Sequence, residues 1–163
     1  MEIDSDLDHI ARQETLLKFQ RFDADLAWKI GRTLHDRASA RSVPVTIDVS
    51  LFSMQMFFAA MHGATPDNIG WVRRKKNTVF RFLRSSYATG LMLKRDKTTL
   101  AAKFALPDAD YAAHGGSFPL TVEGAGVIGA VTVSGLPQRD DHSMVVEALA
   151  SVLGKDPAKL RLP

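Results

Sequence analysis

Apolar and polar positions along this chain follow two rhythms, and the changes between them mark the elements. Near the start, Leu7, Ile10, Leu16 and Leu17 recur at helical spacing, which predicts a short helical arm before residue 20. Asp4, Ser5 and Asp6 offer caps for it. Leu26, Ile30 and Leu34, with Ala27 and Ala38, form a second stripe. That stripe predicts a helix over residues 23–40 with Asp23 as its N-cap. At Pro44 the period falls to two. Val43, Val45, Ile47 and Val49 alternate with Pro44, Thr46, Asp48 and Ser50, a strand pattern. Residues 51–61 are then almost wholly apolar or aromatic. They predict an antiparallel partner strand over 54–61, reached by a turn near 50–53. A strand with no polar face should be covered on both sides, so it is expected either to be central in the sheet or to lie under a helix.

Thr65-Pro66-Asp67 combines a capping residue, a proline for the first turn and an acid, and so predicts a helix start. The helix should run to about residue 85. Ile69, Val72, Val79, Phe80 and Leu83 lie on one arc, and Gly70, Arg73, Arg74, Asn77, Arg81 and Arg84 on another. Lys76 falls inside the apolar arc, so it must either snorkel or pair with a buried acid. A shorter helix over 86–94 should follow, then loop and short helix over 98–113. Residues 118–122 and 127–134 read as strands joined by a turn at 123–126. Gly129 and Ala130 leave room on the second of them for close packing. Asp140 or Asp141 can cap a last helix ending near Leu153, with Gly154 as its stop. The order α-α-β-β-α-(α)-β-β-α, with strands in hairpin-like pairs, predicts an α+β fold built on an antiparallel sheet flanked by helices. It argues against a doubly wound parallel sheet.

Composition narrows the chemistry. The 163 residues suit one domain over 1–163. The absence of cysteine removes disulfides, zinc–thiolate sites, iron–sulfur clusters and thiol catalysis. No apolar run reaches the roughly 20 residues that span a bilayer, so no membrane partner is expected. The acidic start, Met1-Glu2-Ile3-Asp4, is unlike a signal peptide, and a cytoplasmic location is expected. The net charge of +3 is modest. Much of the positive charge lies between Arg73 and Arg95.

Three stretches resemble a known family, the small HbpS/GlcG-like haem-degrading-domain proteins. The first is Trp71-Val72-Arg73-Arg74-Lys75-Lys76-Asn77-Thr78, continuing to Arg81-Phe82 and Ser85-Ser86. The second is His114-Gly115-Gly116-Ser117-Phe118-Pro119-Leu120. The third is Val127 to Leu136, followed by Asp140-Asp141-His142. Their order covers residues 20–155 as a family-like core, with 1–19 as the added arm. The pattern is most similar to a subgroup of single-domain proteins of poorly defined function that includes yeast members. The resemblance implies a profilin-like fold and a homo-oligomer. It also implies haem as a candidate cofactor, although fold and family do not fix function.

Within that frame the basic helix face is a candidate anion site, because guanidinium groups match carboxylates and phosphates. Arg74, Lys75 and Asn77 are the residues expected to hold anionic groups such as haem propionates. The bland alternative is a solvated face or an interface of ion pairs. Aromatic residues lie mostly elsewhere on the helix, so a nucleic-acid stacking surface is not supported. Among five histidines no metal-binding pair occurs. His114 borders Gly115-Gly116, where a flat ligand could approach the backbone, and His142 follows two aspartates. These two are the axial candidates for a haem. The glycine pairs otherwise read as turns. The methionines and phenylalanines of 52–61 read as core or pocket lining. No serine sits in a nucleophile motif and no paired-carboxylate signature is visible.

Three functions follow as expectations. The first is an oligomeric protein binding a small ligand, haem or a related anionic cofactor. The second is a cofactor-free assembly module, with the basic helix facing a partner. The third is an enzyme acting on a small carboxylate, for which no catalytic constellation is evident. Self-association is also expected from Trp71 and Phe82, which sit away from the main apolar stripe of their helix.

Overall fold

The computed structural model describes residues 2–163. Its elements are α1 (Glu2–Leu16), β1 (Lys18–Phe19), α2 (Ala24–Arg41), β2 (Thr46–Leu51), β3 (Gln55–Ala60), α3 (Pro66–Phe82), α4 (Ser86–Arg95), α5 (Leu100–Phe104), β4 (Ser117–Val122), β5 (Gly126–Ser134) and α6 (Gln138–Val152). A 3-10 turn, Pro157–Leu160, follows. The fold is α+β, with one open sheet in the order β1-β4-β5-β2-β3. Four strands are antiparallel neighbours. β1 instead lies parallel to β4, pairing Lys18 with Thr121 and Phe19 with Val122, so the sheet is mixed. Two residues carry no readable alternation, which is why this strand does not announce itself in the sequence.

The two faces of the sheet differ in chemistry. Ile47 and Val49 of β2, Phe118 and Leu120 of β4, and Val131 and Val133 of β5 join the main core with Ile30 and Leu34 of α2 and Met144 and Leu149 of α6. The alternate residues point to the other face: Asp48, Ser50, Ser117, Thr132 and Ser134 are all buried there. Helix α3 covers this polar face and places Lys75 and Lys76 against it.

Lys76 pairs with a buried acid, as one of its two expected fates required. Its ammonium lies 3.2 Å from Asp48 and 3.1 Å from the Ser50 hydroxyl. Gln55 donates to the other Asp48 oxygen at 2.7 Å. Both oxygens of the buried carboxylate thus have partners, which is what permits a charge at full burial.

Some expectations are corrected. β3 is an edge strand, not a central one, and meets the other expectation on one face only, where it lies under α2. Its apolar residues are only partly covered: Phe57 packs on α2, where its ring fills the space beside Gly31, but Phe58, and Met54 just ahead of the strand, remain 42% and 54% exposed. Asp4 and Asp6 lie inside α1, which starts at Glu2, and Asp6 is buried in an ion pair with Arg139. Helix α6 begins at Gln138, so Asp140 and Asp141 sit in its first turn and do not cap it. Trp71 and Phe82 are partly covered within the chain, packing on His114 and Phe104 respectively. Capping by Asp23 holds as expected, its carboxylate accepting from the Leu26 amide at 2.8 Å.

Candidate functional site

The 105–116 segment crosses the outer side of α3 and is tied there by polar side chains. Arg73 donates to the Asp110 carboxylate at 3.1 Å and to the Ala109 carbonyl at 2.6 Å. Asn77 donates to the Asp110 carbonyl at 2.9 Å. Thr78 donates to the Ala112 carbonyl, and the Ala112 amide donates back to the Arg74 carbonyl. Part of the basic arc is therefore a set of brackets for this segment. Asn77 is one of them, and its amide is engaged away from any cavity.

The segment carries His114 to the edge of α3, beside Trp71, with ring centroids 5.2 Å apart and nearly perpendicular. The Arg74 guanidinium lies over the same indole, 4.1 Å from its centroid, a favourable cation–π placement. Among the described residues Arg74 has no carboxylate partner, so its charge is available. His114 is exposed. Partial burial of its ring, and then the positive charges of Lys75 and Arg74, push its pKa down, so its imidazole is neutral and a lone pair is free near neutral pH.

His114 stands between two cavities. One, of about 380 Å³, is bounded by Arg74, Leu93, Lys94, Leu100, Tyr111 and His114. Its walls are mainly apolar, with cations at the rim. The other, of about 320 Å³, is bounded by Trp71, Lys75, His114, Ser134, Gln138 and Asp141.

Lys75 lies at the base of the second cavity. Its ammonium is 2.8 Å from Asp141 and donates to the Val133 carbonyl at 3.3 Å. Asp141 also accepts from the Gly135 and Leu136 amides, at 3.3 and 2.9 Å. Burial pushes the Lys75 pKa down and that of Asp141 up, and their mutual attraction only offsets part of this. The pair is not legible in the sequence, because its two members lie on separate elements with no spacing that links them.

Gly115 and Gly116 are needed for this packing. A Cβ on Gly115 would stand 2.1 Å from the Gln138 carbonyl, and one on Gly116 would stand 2.2 Å from the Val133 carbonyl and 2.8 Å from the Lys75 ammonium. Gly116 also has φ of +129°, a conformation that favours glycine. The space is filled by protein, not left for a flat ligand.

His142 does not share the site. It is fully buried between Tyr87 and Phe118, and its Nε2 lies 2.8 Å from Gln13 Oε1. Burial, with the nearby Arg139 charge, lowers its pKa to about 3. Of the residues expected to bind a ligand, the fold brings Arg74, Lys75, His114, Gly115 and Gly116 together and keeps Asn77 and His142 apart from the cavities. No group of three histidine, acid or cysteine side chains is arranged to hold a bare metal ion among the described residues.

Comparison with known proteins agrees with this architecture. A UPF0303 protein of Rhizobium meliloti is 62% identical over 162 residues, 99% of either chain. The crystal structure of Ybr137w protein superposes with a TM-score of 0.84 at 29% identity, covering 91% of this chain and 88% of that one. A PduOC:heme complex shares the fold, with a TM-score of 0.68 at 17% identity over 80% of this chain and 94% of that one. Residues 22–150 match the family described as haem degrading protein HbpS-like, and with more than half the chain inside that match, the protein belongs to the HbpS-like family.

Proposed function

We propose that the protein binds a small, planar, anionic ligand of the haem class in the cleft between α3, α4 and the 105–116 segment. The observation that carries this reading is the pairing of an exposed, neutral imidazole with an unpaired guanidinium at the rim of an apolar cavity: His114 and Arg74, 5.2 and 4.1 Å from a shared indole. The family description and the haem-bound relative with the same fold support the ligand class.

The residues present fit a haem in part. His114 would offer its imidazole nitrogen to the iron, Arg74 and Lys94 would suit the carboxylates, and Leu93 and Leu100 would give an apolar wall. Lys75 and Asn77 do not join this clamp, since their polar atoms are engaged elsewhere. A bound haem would supply redox and oxygen chemistry, while the chain would orient it and set its polarity.

A haemin titration followed by visible absorption tests the reading. A saturable Soret shift is expected. It should be lost in His114→Ala and weakened about tenfold or more in Arg74→Ala, the size expected for losing a charge-assisted contact of roughly 1.5–3 kcal/mol. A titration indistinguishable from that of an unrelated basic protein would remove it.

A second reading, self-assembly without a cofactor, is favoured by one observation. Trp28 is 61% exposed and Met54 and Phe58 are close to half exposed, an apolar set at the open edge of the sheet. The haemin titration separates the two readings, because a cofactor-free assembly module gives no specific Soret shift.

A further inference from the structure

The cavity above Lys75 has a chemistry that an anion clamp does not use. Lys75 is a buried amine with a carboxylate 2.8 Å away to exchange a proton with. It lies at the base of an open cavity of about 320 Å³, large enough for a molecule of several heavy atoms. Surface lysines are poor nucleophiles because they stay protonated; desolvation and an adjacent base are two conditions that activate one. Both conditions hold here, and burial moves Lys75 and Asp141 towards their neutral forms.

The Asp141 carboxylate is held in place independently of Lys75, by the Gly135 and Leu136 amides. It would keep its position while the lysine reacts. The ammonium is held by the Val133 carbonyl on one side, and Gly116 leaves no side chain beside it. Asn68, Ser134 and Gln138 contribute polar groups to the walls, and Trp71 an apolar one.

We propose that Lys75 forms an imine with a small hydroxyaldehyde or hydroxyketone, with Asp141 as the proton carrier and Asn68, Ser134 and Gln138 as partners for its hydroxyl groups. Asp141 takes one proton from the ammonium, and the free amine adds to the carbonyl carbon. The former carbonyl oxygen receives that proton, then a second one from the nitrogen by way of Asp141, and leaves as water. Ammonium and carbonyl become iminium and water, with Asp141 returned as carboxylate. No oxidant or metal is required, and the step does not depend on the haem reading.

The test is reductive trapping. The purified full chain is incubated with dihydroxyacetone and cyanoborohydride at neutral pH, then digested and mapped by mass spectrometry. One saturable adduct at Lys75 is expected, at reagent levels that leave the exposed lysines unmodified. It should be lost in Lys75→Arg and strongly reduced in Asp141→Asn. Adducts on exposed lysines alone, rising in proportion to reagent with the Lys75 peptide unmodified, would overturn the proposal. The mapping of the unaltered chain decides the matter even where a variant fails to fold.

Discussion

Gln13 determines which nitrogen of His142 carries a proton. Its amide nitrogen donates to the Leu160 carbonyl at 2.6 Å, so its oxygen is the atom facing His142 at 2.8 Å. The imidazole must therefore donate from Nε2, which leaves Nδ1 bare, buried and without a partner. Protonating Nδ1 would place a charge where no acceptor stands and where Arg139 repels it, and the pKa falls from 6.5 to about 3. The unfolded chain takes up this proton near pH 6.5 and the folded chain does not, so this contribution to stability is complete above pH 6.5 and is lost as pH falls towards 3. Urea unfolding followed by tryptophan fluorescence, between about pH 6.5 and 5, should show a loss approaching about 1.4 kcal/mol per pH unit, absent in His142→Gln. A flat profile for the unaltered chain would contradict the tautomer argument. At this scale the sequence is partly legible. Lys76 stands out because it breaks an apolar arc, which leaves it two fates, snorkelling or a buried acid. His142 and Lys75 give no such sign, since their partners Gln13 and Asp141 lie on other elements 129 and 66 positions away.

Helices are legible where an apolar stripe meets a recognisable cap, as at Asp23 and Thr65. Strand order is not, because β5 lies between β4 and β2 through a connection that passes over α3, α4 and α5. The run at 51–61 fits a central strand and a strand under a helix equally well, and the structure takes the second with one face only: α2 shields that face and the other stays largely open. The shielded face depends on Gly31 of α2, whose missing Cβ makes room for the Phe57 ring; a methyl there would stand 2.2 Å from that ring. Helix propensity alone would make Gly31→Ala stabilising by about 1 kcal/mol. The ring cannot move without disturbing its edge-to-face contact with Trp28 at 5.6 Å, so overpacking should win. A net loss of about 1–3 kcal/mol is expected in chemical denaturation. A gain would show that β3 shifts freely against α2.

The whole molecule presents one edge that its own chain does not finish. β3 pairs with β2 on one side only, and its sequence Gln55–Ala60 contains no charge or proline to discourage another strand. Edge strands are ordinarily protected by such devices. Beside it stand Trp28, Met54 and Phe58, each exposed by 42% or more. Trp71 and Phe82, the residues that first suggest association, are half-buried against His114 and Phe104 and less exposed than Trp28, Met54 and Phe58, which moves the expected contact from α3 to the far edge of the sheet. Light scattering at micromolar concentration should return a multiple of 17.9 kDa. Trp28→Glu with Phe58→Lys should shift it towards a single chain. Haemin binding should survive that change if the cleft is complete within one copy, because neither residue lines it. A monomeric mass for the unaltered protein would remove the contact. An oligomer that persists in the double variant would place the contact elsewhere, leaving the apolar edge without a partner of its own kind.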